Sequence, residues 1–234
     1  MKPVAIFRHI SFEGAGYFAD FLEQQQIPSV LIKVDENEAI PTSPHDYSGL
    51  VFMGGNMSVN DDLPWIQHSL DLMRAAMDAD IPVLGHCLGG QLMSKALGAV
   101  VSRTPIKELG WGRVTTTDND VARAWFDGLQ QFDSFHWHGE TFALPAGATH
   151  LLKSSYCDNQ AYALGKHLAL QCHVEMTAEM VQTWCTHGAD EINAASGSPA
   201  VQTPAAMQTN LEQQITQLNR VADRLYSRWI KGLK

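Results

Sequence analysis

The chain has 234 residues, 45% of them hydrophobic and 18% charged, with a formal net charge of −9. That length supports one substantial core. An acidic chain without a Lys/Arg cluster is a poor partner for nucleic acid or an anionic membrane surface, and no apolar run approaches the roughly 18 residues of a membrane span.

The start, "MKPVAIFRHISFEG", reads as a strand and not as a signal peptide, so a cytoplasmic location is expected. Four cysteines, Cys87, Cys157, Cys172 and Cys185, show no CxxC pairing. In a reducing compartment they should be free thiols, and a cysteine-built zinc site is not expected.

In chain order, "PVAIF" (3–7) is a short apolar run and reads as a buried strand. "GYFADFLEQQQ" (16–26) has helical spacing, and "SVLIKV" (29–34) reads as a second strand. "YSGLVFMGG" (47–55) is a third strand that ends in paired glycines. "LPWIQHSLDLMRAAMDAD" (63–80) is an amphipathic helix with Pro64 near its start. "IPVLGHC" (81–87) is a fourth strand, and "LGGQLMSKALG" (88–98) is the helix leaving it. Strands alternating with helices predict right-handed βαβ units and a parallel sheet.

The middle of the chain reads differently. Short β-rich runs, "AVVSR", "WGRVTTT", "DSFHWHG", "THLLKS", "QAYALG" and "HLALQCH", follow one another between turns with little helical periodicity. They predict an antiparallel or mixed extension of the same sheet. One helix is expected over 177–193, capped at Thr177, then a loop over 195–204, then a C-terminal helix at about 205–232. That last helix carries Leu211, Ile215, Leu218, Ala222, Leu225 and Trp229 in one stripe. The stripe packs either on its own domain or in a homodimer. No linker is long enough to split the chain, so residues 1–234 are expected to form a single domain.

Three segments carry chemistry. Gly85-His86-Cys87-Leu88-Gly89 is G-x-nucleophile-x-G between a strand and a helix, the context of a nucleophile elbow. The glycines let strand and helix approach around a strained residue, and the helix N-terminus would favour thiolate at Cys87. A small buried cysteine at a glycine-rich helix start is the other reading of this motif alone. "QCHVE" (171–175) offers His173 and Glu175 two residues apart, on one side of an extended chain, as a base and its orienting carboxylate. Gly54-Gly55 follow a strand, where backbone N–H groups could face an oxyanion; an ordinary βα turn also favours glycine there.

Taken together, "GHCLGGQ", "GGNMSV" and "QCHVE" resemble the class I (Cys-His-Glu) glutamine amidotransferases. "ELGWGRV" (108–114) and "FHWHGETFALPAGATHLLKSS" (135–155) are similar to the branch related to the glutaminase part of GMP synthase. The resemblance implies a flavodoxin-like α/β three-layer sandwich, with a mostly parallel central sheet and a small antiparallel extension. It implies Cys87 as nucleophile, His173 as general base and acid, and Glu175 as its orienter. Gly55 and Leu88 would supply oxyanion amides. Gln91, Gly54 and His138 would contact bound glutamine. Where the family usually has proline, phenylalanine and proline, this chain has Asn56, Cys172 and Val174.

The implied reaction is hydrolysis of the glutamine side-chain amide through a cysteinyl thioester, with no metal or organic cofactor. His136 and His138 form an H-x-H pair, but a metal needs a further ligand that the sequence does not place. Neither G-x-x-x-x-G-K-[ST] nor S-G-G-x-D-S occurs. ATP-dependent use of the ammonia would therefore fall to a separate synthetase subunit. The same triad could instead cleave a γ-glutamyl bond in a peptide or conjugate, and this alternative differs only in what leaves.

Overall fold

A computed structural model describes residues 1–234. Its centre is one nine-stranded sheet. In chain order the strands are β1 (Val4–Arg8), β2 (Ser29–Lys33), β3 (Gly49–Phe52), β4 (Val83–His86), β5 (Val101–Thr116), β6 (Gln131–Phe142), β7 (Thr149–Ser154), β8 (Ala161–Leu164) and β9 (His167–Leu170). Their spatial order is β2-β1-β3-β4-β9-β8-β7-β5-β6. The first five positions are parallel, and every pairing from β9 through β6 is antiparallel.

The inner parallel strands β1, β3, β4 and β9 are buried on both faces, so they read as continuous apolar runs, whereas β2 is an edge strand whose first three residues are exposed. Val4 and Ile6 point into one core with Val51 and Leu84. Ala5 and Phe7 point into the other with Leu50, Phe52 and Val83. Helix α2 (Pro64–Asp78) and α3 (Leu88–Ala96) cover the second face. Helices α1 (Tyr17–Gln24), α4 (Asp120–Phe126), α5 (Ala178–His187) and α8 (Leu211–Trp229) contribute to the first core. The result is the three-layer α/β sandwich with its antiparallel extension.

Several boundaries differ from the sequence reading. The runs "AVVSR" and "WGRVTTT" belong to one 16-residue strand, β5. Its register with β6 shifts between Arg103 and Glu108, and Pro105, which has no N–H to give a ladder, sits in that irregularity. Helix α4 was not expected. It is only seven residues long, too short to show periodicity, and is set by the Asn119 side chain accepting from the Ala122 N–H at 2.8 Å. Strand β9 ends at Leu170, so the "QCH" that follows leaves the ladder and meets β6 through a single bridge, Phe135 to His173.

Two predicted helices are broken. The 177–193 helix splits at Gly188 into α5 and α6 (Ala189–Ala194). Trp137 packs so closely there that a Cβ on residue 188 would collide with its indole. The helix expected at about 205–232 is instead α7 (Pro204–Met207), a break, and α8, followed by a 3-10 turn from Ile230 to Gly232. Asn210 stands at the start of α8 in the left-handed region, φ 52°, which interrupts helical propagation. All six stripe residues of this segment are buried within the chain, against α1, α4 and the sheet.

Candidate active site

Strand β4 delivers Cys87 to the carboxyl edge of the parallel strands, and α3 begins at the next residue. Cys87 has φ 48° and ψ −106°, a strained backbone for a residue with a Cβ. The strain is held by neighbours. The Cys87 N–H donates to the Leu170 carbonyl at 2.8 Å. A Cβ on Gly85 would strike the Gly89 and Gly90 backbone, and one on Gly89 would strike Phe52, so the turn closes only with glycine at both places. Leu88 is the first residue of α3, and its N–H is among those that helical geometry leaves free. Gly55 lies against the Leu88 side chain, and its N–H has no acceptor in the protein.

His173 and Glu175 follow β9, the strand beside β4. The His173 Nδ1–Glu175 Oε1 separation is 2.6 Å, with both side chains buried. Glu175 accepts at this distance, so Nδ1 carries the proton and Nε2 is left as the exchanging nitrogen. Nε2 is buried without a hydrogen-bond partner. Burial opposes charge on His173, but the Glu175 carboxylate, with Cys87 close by, outweighs it and holds the imidazole well above its ordinary range. Burial pushes Glu175 up; His86 and His173 reverse this and bring the carboxyl down to about 2.

Behind the pair lies a contact that sequence reasoning missed. His86 Nε2 is 3.7 Å from Glu175 Oε2 and 3.0 Å from the Tyr226 hydroxyl, all three groups being buried. His86 alternates with Cys87 on the strand and therefore faces the opposite layer. Tyr226 reaches it from α8, 140 residues away in sequence. The C-terminal helix thus supports the His–Glu pair as well as the core.

Cys87 opens into a cavity of about 840 Å³. Gly55, proposed from sequence for the oxyanion, and Gln91 and His138, proposed as substrate contacts, line it. Gln91 Nε2 donates to the Glu140 carbonyl at 3.2 Å and to Gln171 Oε1 at 3.1 Å, which leaves the Gln91 carbonyl oxygen without a protein partner. Gln171 Nε2 also donates to Cys87 Sγ at 3.5 Å. Gly54 does not line the cavity; it packs between the His173 ring edge and the carboxylate of Glu13. Glu13 was not singled out by sequence, since nothing local to "SFEG" marks it. It is buried, lines the cavity, and burial pushes its carboxyl up to about 7.

The structure supplies a third group beside the H-x-H pair. Donor atoms of Glu108, His136 and His138 lie within 4.8 Å of one another. Gln160 Nε2 bridges this set, 2.8 Å from Glu108 Oε2 and 3.3 Å from His138 Nε2. His138 Nε2 is itself 3.2 Å from Glu108 Oε2. Of this cluster only His138 lines the Cys87 cavity; Glu108 and His136 line a separate, smaller pocket.

A strained cysteine, an oriented imidazole–carboxylate pair and free backbone amides around one cavity are the parts of a cysteine-dependent acyl-transfer site. The model of the family "Glutamine amidotransferase class-I" matches residues 19–185. A glutamine amidotransferase-like protein of Salmonella typhimurium is 31% identical over 228 residues, covering 93% of this chain and 94% of that one. The crystal structure of a glutamine amidotransferase from Methylobacillus flagellatus superposes with a TM-score of 0.97 at 42% identity, over 100% of this chain and 96% of the other. The GMP synthase of Lactobacillus acidophilus is 34% identical over 148 residues, which are 57% of this chain but 27% of that enzyme. The chain belongs to the class I glutamine amidotransferase family.

Proposed function

We propose that this protein hydrolyses the side-chain amide of glutamine, with Cys87 as nucleophile, His173 as proton carrier and Glu175 as the group that orients it. The observation carrying this reading is the buried His173–Glu175 contact of 2.6 Å, with an unpartnered Nε2 beside the strained Cys87. Cys87 Sγ gives its proton to His173 Nε2 and attacks the amide carbon, and the developing oxyanion takes the N–H groups of Gly55 and Leu88. The C–N bond breaks as His173 Nε2 gives its proton to the nitrogen, and ammonia leaves a thioester on Cys87. Water then gives a proton to His173 and attacks the thioester carbon. The C–S bond breaks, and glutamate and the cysteine are released.

Relatives named as GMP synthases combine such a segment with much more chain. Ammonia made here would accordingly pass to a separate ATP-dependent synthetase. A second reading, cleavage of γ-glutamyl conjugates, is supported by the cavity volume of about 840 Å³, far more than glutamine fills. The test is ammonia release from glutamine by the purified protein, with labelling of Cys87 by a glutamine-like chloroketone. Labelling that spares Cys87, or an unchanged rate in Cys87→Ser, would overturn the assignment.

A further inference from the structure

The acids around the cavity are not equivalent. Glu140 accepts from the Ser58 hydroxyl at 2.8 Å, and Glu191 from Lys107 at 2.6 Å and Trp137 Nε1 at 2.8 Å. Asp190 is exposed. Glu13 alone among them is buried, 8% exposed, and its carboxylate makes no hydrogen bond within the protein. With no hydrogen bond inside the protein and a place in the cavity lining, this carboxylate is free to meet whatever group enters beside it.

Its position is built. The Trp184 indole donates to the Phe12 carbonyl at 3.1 Å, and the Tyr17 N–H donates to the Glu175 carbonyl at 2.8 Å. These bonds hold the loop on both sides of Glu13 to α5 and to the His–Glu segment. The one point where a Gly54 Cβ would sit is within 3.2 Å of His173 Cε1 and in collision with Glu13 Oε2. Glu13 therefore stands on the His173 side of the cavity. In an acyl transfer, the nitrogen that receives its proton from this imidazole departs on that side.

We infer that Glu13 is the leaving-group residue: its carboxylate meets the departing nitrogen and selects leaving groups that are basic and carry no negative charge. This rests on the triad reading above, and it refines the choice of substrate. On taking its proton from His173, the nitrogen of ammonia or an alkylamine is cationic until the C–N bond breaks, and a carboxylate stabilises that charge. An amino acid leaving from a γ-glutamyl peptide brings its own α-carboxylate to within reach of Glu13, and like charges in a buried site repel. The site therefore suits glutamine and γ-glutamyl alkylamides and disfavours γ-glutamyl peptides.

The test compares kcat/KM for glutamine, γ-glutamylethylamide and γ-glutamylglycine in wild type and Glu13→Gln. The expected result is a preference of about tenfold or more for the ethylamide over the glycine conjugate, lost in Glu13→Gln. Equal losses on all three substrates would show that Glu13 acts only through His173 or the fold. An unchanged preference, or a wild type that favours the glycine conjugate, would also overturn the inference. Binding of the two conjugates to Cys87→Ala, with and without Glu13→Gln, gives the same comparison by calorimetry without turnover; binding of neither conjugate would count against the pocket and the inference together. Chloroketone labelling of Cys87 in Glu13→Gln keeps the two readings apart: labelling that persists leaves the triad standing whatever the substrate ratio shows.

Discussion

The two halves of the sheet make different contributions to the cavity. The parallel half, β2-β1-β3-β4-β9, places Cys87, His173, Glu175, Gly55 and Glu13 on segments that leave its strands at one edge. Parallel α/β sheets gather sites at the carboxyl ends of their strands, because every βα turn opens there beside a helix N-terminus. The antiparallel half contributes Arg103, Lys107, Trp137, His138 and Glu140, side chains along the lengths of β5 and β6. One half carries the proposed chemistry at strand ends, and the other builds the wall against which a substrate lies. Changes in the first should lower kcat, and changes in the second should chiefly raise KM.

Cys87→Ser tests this division most severely. It should lower glutamine hydrolysis by about a thousandfold or more with the fold intact, read as ammonia release beside a thermal melt. Glu175→Gln comes next. It leaves His173 without its orienting anion, and kcat should fall by roughly 10² to 10⁴. The same residue gives a pH signature. Its folded pKa of about 2 lies below the ordinary 4.5, so its contribution to stability is present above pH 4.5 and is lost as pH falls toward 2. The wild-type protein should lose Tm over that window, and Glu175→Gln should flatten the loss.

Glu13→Gln probes the opposite sign. Its folded pKa is raised from 4.5 to about 7, so the native state is penalised as pH rises through that window. Removing the carboxyl should raise Tm at pH 8 and leave it nearly unchanged at pH 4. The pKa difference sets an upper limit of about 3 kcal/mol. A variant that is less stable at pH 8 would contradict the buried, unpartnered carboxylate.

On the antiparallel wall, His138→Ala should raise KM for glutamine about tenfold while kcat changes less. A loss confined to kcat would break the comparison between the halves. The smallest effect belongs to Tyr226→Phe, which removes the hydroxyl 3.0 Å from His86. One buried hydrogen bond is worth about 1 kcal/mol, so kcat should fall by no more than about tenfold.

The legible parts of the site were those compressed into short sequence windows. Gly85, Cys87 and Gly89 are spaced by the steric needs of one turn, and His173 and Glu175 by the reach of one hydrogen bond. Glu13, Glu108 and the His86–Tyr226 contact were not legible, because each partner is distant in sequence and neither member is locally unusual. The inner parallel strands β1, β3, β4 and β9 were legible because burial on both faces keeps them apolar. Strand β5 read as two fragments and β6 as a shorter run, since each passes between core and cavity along its length. Gly188 and Asn210 broke two helices at places where apolar periodicity continued, and periodicity carries no information on where a neighbouring indole must fit or where the backbone turns left-handed.

By itself, then, the sequence determined the alternating strands and helices of the parallel half, the turn at Cys87 and the spacing that pairs His173 with Glu175. These depend on local sterics and on side-chain spacing, which a linear pattern records. Only the tertiary structure decided that α8 reaches back to His86, that Gln160 ties Glu108 to His138, and that Glu13 stands unpartnered beside His173. Those depend on which elements pack together, and the burial created by that packing is what gives each of these ordinary polar residues its particular environment.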